Sequence, residues 1–269
     1  MAAYIVGGLF VMIALAIYGE QTRRVMVDGG KVRTDDLGLP ELLMSFVFAG
    51  FFGMLMIAAL NRSGSKEAAE ISIDAVLPNS VLFVVFTAGI LGFLRYARHL
   101  RLAHVFGLDQ QPPLVAIGWA FGLILAAFPL AGLANAITLL LLKDGFTPQP
   151  LVKLFSDVAR GQDHLSVAKI FLSGVIIQPA CEEFLFRGFF YGVWKRYLGM
   201  RGAGFLTCLL FAAFHTSLPA FGGLFVLAIC LNIAYERTGS LLVPIGMHAL
   251  FNFTSLAVLY FQARFNAAI

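Results

Sequence analysis

Charge is scarce in this 269-residue chain: Asp, Glu, Lys and Arg together make up 13% of it. A soluble chain of ordinary composition carries about a quarter, so the usual water-facing surface is missing. Cysteine is rare too, and Cys181, Cys208 and Cys230 stand far apart in apolar stretches. With no CxxC pair there is no thiol metal or redox signature, and three such thiols make no disulfide framework. A Lys/Arg-rich tract with interleaved aromatics is also lacking, which removes nucleic acid as a partner. There is no HExxH helix of the kind that binds zinc, no internal repeat and no low-complexity segment. Apolar residues fill the space: 59% of the chain is hydrophobic and the mean hydropathy is +0.86. Several runs are long enough to span a bilayer. An all-α, multi-pass integral protein of the cell membrane is predicted.

Eight spans are expected. The first, Ala3 to Tyr18, has no basic stretch before it, so it reads as a membrane helix rather than a signal peptide. Others follow at about Leu42–Leu60, Val76–Leu94, Leu114–Leu142 (with Pro129 marking a kink), Val167–Trp194, Ala203–Leu218, Phe221–Tyr235 and Leu241–Phe261. In the loop from Lys143 to Leu165, Leu151, Leu154, Phe155 and Val158 recur at helical spacing and suggest an interfacial amphipathic helix. With the N-terminus outside, the inner loops hold Arg23, Arg24, Lys31, Arg33, Arg95, Arg98, Arg101, Lys195, Arg196, Arg201 and Arg237, against Arg62, Lys66, Lys143, Lys153, Arg160, Lys169 and Arg264 outside. That is eleven to seven in favour of this orientation, by the positive-inside rule. Residues 1–166 form an N-terminal region of four spans, and 167–269 a second region of four.

Hydropathy does not explain the stretch from Gln178 to Gly192, QPACEEFLFRGFFYG, which sets Glu182, Glu183 and Arg187 in an apolar run. On a helix Glu183 and Arg187 face each other one turn apart, a favourable carboxylate-to-guanidinium order. Glu182 points about 100° away and is left without a local partner. An unpaired carboxylate in a membrane is expensive and marks a functional site by default. Three more polar residues lie in apolar segments: His215 late in the sixth span, and His248 and Asn252 four apart on one face of the eighth. On the expected spans Glu182, His215 and His248 fall roughly 12–20 Å from the inner side at 1.5 Å rise per residue. They are thus predicted to meet around a polar cavity inside the membrane.

The chemistry open to such a set is narrow. A desolvated carboxylate can act as general base near neutrality, and a neutral imidazole beside it can help hold a water. A histidine and an asparagine amide aimed together can stabilise an oxyanion. The set suits amide hydrolysis without a serine or cysteine nucleophile. Each residue also has a plainer role open to it: Glu183 with Arg187 as a structural ion pair, His215 bonded to a backbone carbonyl, Asn252 as helix-packing glue, and the cysteines as small hydrophobes.

Glu182-Glu183-x-x-x-Arg187, then Phe211-x-x-x-His215, then His248-x-x-x-Asn252 resemble the three ordered motifs of the CPBP family. That family joins the CAAX-prenyl proteases of the Rce1 type to bacteriocin-processing and immunity relatives. Tyr235 to Ser240 (YERTGS) and Pro244-Ile245 are similar to its wording as well, so the resemblance runs from about Val167 to Asn252. It implies an intramembrane glutamate endopeptidase that needs no metal or other cofactor. In that reading Glu182 and His215 activate water, His248 and Asn252 serve the oxyanion, and Glu183 and Arg187 support the site. The substrate implied is a peptide or protein, in the prenyl-protease branch a lipidated C-terminal tail. Cys181, just before the paired acids, departs from the commonest wording and is a further candidate for a thiol-based variant. Two rivals stand beside this reading. A zinc protease would draw two histidines and a glutamate from three spans. A non-catalytic immunity or binding protein, or a transporter, would use the same charges without cleavage.

Overall fold

The computed structural model describes residues 2–63, 73–142 and 150–265. Among these there is no strand, and eleven α-helices carry the chain: α1 (Ala2–Asp28), α2 (Leu39–Ser63), α3 (Ile73–Gly92), α4 (Leu102–Val105), α5 (Pro113–Leu142), α6 (Pro150–Arg160), α7 (His164–Phe171), α8 (Gln178–Glu183), α9 (Gly192–Phe214), α10 (Leu218–Thr238) and α11 (Leu242–Phe265). Wider π-helical turns at Phe93–Ala97, Leu172–Ile177 and Phe184–Tyr191 extend α3 and flank α8. The protein is a multi-pass, all-α membrane protein, with seven helices among the described residues long and apolar enough to cross a bilayer.

The difference between seven and the eight expected lies at Gly199. Helical assignment is continuous from His164 to Phe214, but Gly199 sits at φ 70°, ψ 172°, a conformation that breaks the helix and that glycine adopts most readily. The chain folds back there: Tyr191 lies against Gly204, and Phe186 against Phe211 with ring centroids 5.2 Å apart. The stretch is a helical hairpin, and its two arms are the fifth and sixth expected spans, the second of them short.

α1 runs ten residues past the expected Tyr18. Glu20 bonds Arg23 at 2.7 Å and Arg24 at 2.6 Å, and these pairs carry the helix into the polar segment. α5 continues through Pro129. The amphipathic helix appears as α6, but protein covers its apolar face: Leu154 and Phe155 pack with Ile170, Leu256 and Tyr260 of α7 and α11. Residues 143–149 of that loop and 64–72 of the earlier one lie outside the described residues.

Lipid removes the hydrophobic drive between membrane helices, so small residues and polar contacts must hold them. α10 meets α5 closely at Gly222 and Gly223, where an added Cβ would run into Thr138 and into the Ala131 carbonyl. Gly223→Leu is therefore expected to destabilise the α5–α10 contact by about 1–3 kcal/mol, the usual cost of overpacking, measured as a lower unfolding midpoint in detergent. An unchanged midpoint would show that this contact does not hold the bundle.

The loops expected to face inward meet at one end. Arg196 donates to the carbonyls of Thr34 and Asp35 at 3.1 and 2.6 Å. Leu241 N–H reaches Phe106 O at 3.1 Å, and Gln111 reaches Thr238 O at 3.3 Å. Glu236, 2% exposed, gathers three partners there: Lys195 Nζ at 2.6 Å, the Val32 N–H at 3.3 Å, and the Tyr191 hydroxyl.

Candidate active site

Two local irregularities shape the helix that carries the paired acids. Pro179 enters α8 at its second position and supplies no N–H to the preceding turn, and the chain there is wound in the wider π form, Leu172–Ile177. A second π turn follows Glu183. Such turns inside α-helices often mark functional sites. They leave Glu182, Glu183 and Arg187 buried, at 8%, 0% and 1% exposure, and His248 at 3%.

The contacts are specific. Glu183 Oε1 accepts from Arg187 NH1 at 2.7 Å and from His248 Nδ1 at 2.8 Å. With the Nδ1 proton donated to a carboxylate, the tautomer is fixed and Nε2 is the nitrogen left for chemistry. Nε2 faces Glu182 Oε2 at 3.9 Å, a gap too long for a hydrogen bond. Glu182 Oε2 is buried and has no hydrogen-bond partner, so one carboxylate oxygen is held out of water with its acceptor capacity unused.

Phe211 is the hub of this group. The Arg187 guanidinium lies over its ring at 4.2 Å from the centroid, close enough for a cation–π contact. The rings of His215 and His248 stand at 4.8 and 5.7 Å from it. His215 is half-buried, and its Nδ1 bonds the Phe211 carbonyl at 2.8 Å, so its Nε2 is also left available.

The structure thus brings Glu182, Glu183, Arg187 and His248 together and seats His215 on the same aromatic ring. It holds Asn252 elsewhere: the amide, one turn past His248 on α11, donates to the Gly174 carbonyl at 2.8 Å. Cys181 is a free, buried thiol on α8, and Cys208 and Cys230 are likewise free and buried. No group of three or more His, Cys, Asp or Glu side chains is arranged to hold a metal ion among the described residues. A groove of about 490 Å³ between α1 and α5 is lined by Ile17, Gln21, Val115, Gly118, Trp119, Gly122 and Leu123, none of them in the Glu182 group.

Sequence reasoning missed two features. The Glu183–His248 bond joins residues 65 apart, and local spacing carries no signal for it. The π turn before α8 had a signal in Pro179, a proline inside an otherwise helical apolar run.

Residues 164–254 match the family described as type II CAAX prenyl endopeptidase, Rce1-like. The chain is also 35% identical over 103 residues to an uncharacterised 24.3 kDa protein of Escherichia coli, a match that takes in 36% of this chain and 46% of that protein. No solved structure matches it. The matched segment contains the whole Glu182–Arg187–His215–His248 group and its supporting hairpin, and over this third of the chain the protein is similar to the Rce1-like family of CAAX prenyl endopeptidases.

Proposed function

We propose that the protein hydrolyses a peptide bond near the C-terminus of a membrane-associated or lipidated substrate, with Glu182 as general base. One observation carries this reading: a buried carboxylate oxygen without a hydrogen-bond partner faces an imidazole nitrogen 3.9 Å away. An oxygen at hydrogen-bond distance from both groups would sit to one side of that line, within reach of carboxylate and imidazole at once.

A water bonded to Glu182 Oε2, and steadied by Nε2 of His215, attacks the scissile carbonyl carbon and gives its proton to Glu182. The carbonyl π electrons move onto oxygen. A proton carried on His248 Nε2 makes that nitrogen a donor to the oxyanion, and it brings the sum of Glu182, Glu183, Arg187 and His248 to zero charge. A net charge is costly to hold in a membrane interior. When the C–N bond breaks, its electrons go to nitrogen, which leaves as the amine with the proton Glu182 had taken. Glu183 and Arg187 hold His248 throughout. Residues 167–269 carry this chemistry, and 1–166 frame it.

The test is cleavage of C-terminal tail peptides, lipidated and plain, by purified protein in detergent, with products identified by mass. Cleavage is expected to survive a strong chelator. Loss under chelator with recovery on adding zinc would replace this reading with a metalloprotease. Absence of cleavage, with function in cells surviving Glu182→Gln, would replace it with a non-catalytic binding role.

A further inference from the structure

The carbonyl that Asn252 bonds has a particular history. In the π turn Leu172–Ile177 the Gln178 N–H reaches back five residues to the Ser173 carbonyl instead of four to Gly174. At that same spacing the next N–H in line, the one owed to Gly174, belongs to residue 179. Residue 179 is proline and has none. Gly174 O has therefore lost both its α-helical and its π-helical donor. Inside a membrane no water stands ready to replace them, and such a group must find a partner within the protein. Asn252 Nδ2 is that partner, at 2.8 Å. The approach is close: a Cβ on Gly174 would already touch Leu256 of α11.

We propose that Asn252 is a positioning residue: its amide stands in for the backbone donor that Pro179 lacks, and the bond sets the distance between His248 and the paired glutamates. The bond ties α11 to the turn that leads straight into α8. Asn252 is one turn from His248, and Pro179 is three residues before Glu182. The two catalytic elements are thus fastened at a point just outside the chemistry. This rests on the protease reading above but assigns the amide to the scaffold rather than to the oxyanion.

Pro179→Ala makes the inference testable, because it returns an N–H at the position the π spacing assigns to Gly174. Asn252→Ala, Pro179→Ala and the double variant are compared with wild type in three readouts: the unfolding midpoint, tail-peptide kcat, and the ¹⁵N-histidine spectrum of His248. Asn252→Ala is expected to lower the midpoint, move the His248 signals and cut kcat by about 10- to 100-fold, as small misplacements do. In the double variant all three are expected to return toward the Pro179→Ala values. A double variant that regains its midpoint and His248 signals but stays as slow as Asn252→Ala would overturn the proposal and return the amide to the reaction. Midpoints and spectra showing no interaction between the two substitutions would overturn it as well, since Gly174 would then not be the reason for Asn252. Both of these readouts apply even if wild type cleaves no peptide, an outcome that defeats the protease reading alone.

Discussion

Glu182→Gln is expected to lower kcat for a cleavable tail peptide by about 10²- to 10⁴-fold, the range that general acid–base catalysis contributes. It should do so without loss of stability. Glutamine keeps the shape of glutamate, and the oxygen it replaces makes no hydrogen bond in the folded protein. The substitution also removes a buried carboxylate, and the proton on His248 Nε2, 3.9 Å from it, can leave with that charge so that the group stays neutral. The unfolding midpoint is therefore expected at or above that of wild type while turnover collapses. Turnover at the wild-type rate would show that Glu182 takes no proton in the reaction. A collapse of both quantities would make Glu182 a structural residue.

Arg187→Met is expected to give the opposite pattern, with a large loss of stability and inactivity as its consequence. Arg187 and Glu183 are 1% and 0% exposed and 2.7 Å apart. Breaking such a pair from one side strands a charge in a medium that cannot solvate it, at a cost of about 3–5 kcal/mol. The guanidinium also leaves the Phe211 face, on which His215 and His248 both rest. Methionine fills a similar volume, so little of the loss would come from an empty cavity. The double variant Glu183→Gln with Arg187→Met removes both charges and is expected to recover most of the stability, because neutral replacement of a buried pair is often tolerated. Unfolding in detergent measures all three. A single variant as stable as wild type would mean that Glu183 is reached by water after all.

Much of this protein was legible in its sequence, because the bilayer imposes simple rules on composition. Lengths of apolar sequence located the spans, and the charges at Glu182, Glu183 and Arg187 stood out because lipid tolerates so few. The Glu183–Arg187 contact followed from their spacing. What lay beyond reach were choices made between helices. Nothing near Glu183 announces that His248 will be its second partner, since that depends on how α11 settles against α8. Asn252 was visible as a polar residue on the right face, but its partner is a backbone carbonyl freed by a proline 73 positions earlier. The turn at Gly199 was placed between two spans, but its backbone conformation belongs to one residue and leaves no trace in hydropathy.

The hairpin that turns at Gly199 bears on how the protein is made. On insertion scales a charged side chain at a helix centre costs roughly 2.5–3.5 kcal/mol, so an arm bearing two glutamates and an arginine is a poor candidate to enter lipid alone. The two arms face each other through Phe186 and Phe211 and can leave the ribosome-bound translocon as one unit. The imidazole that completes the charge group arrives only later, with α11. The segment between is thus a nascent chain held in an unfinished electrostatic state, whose maturation waits on a helix translated more than fifty residues after the acids.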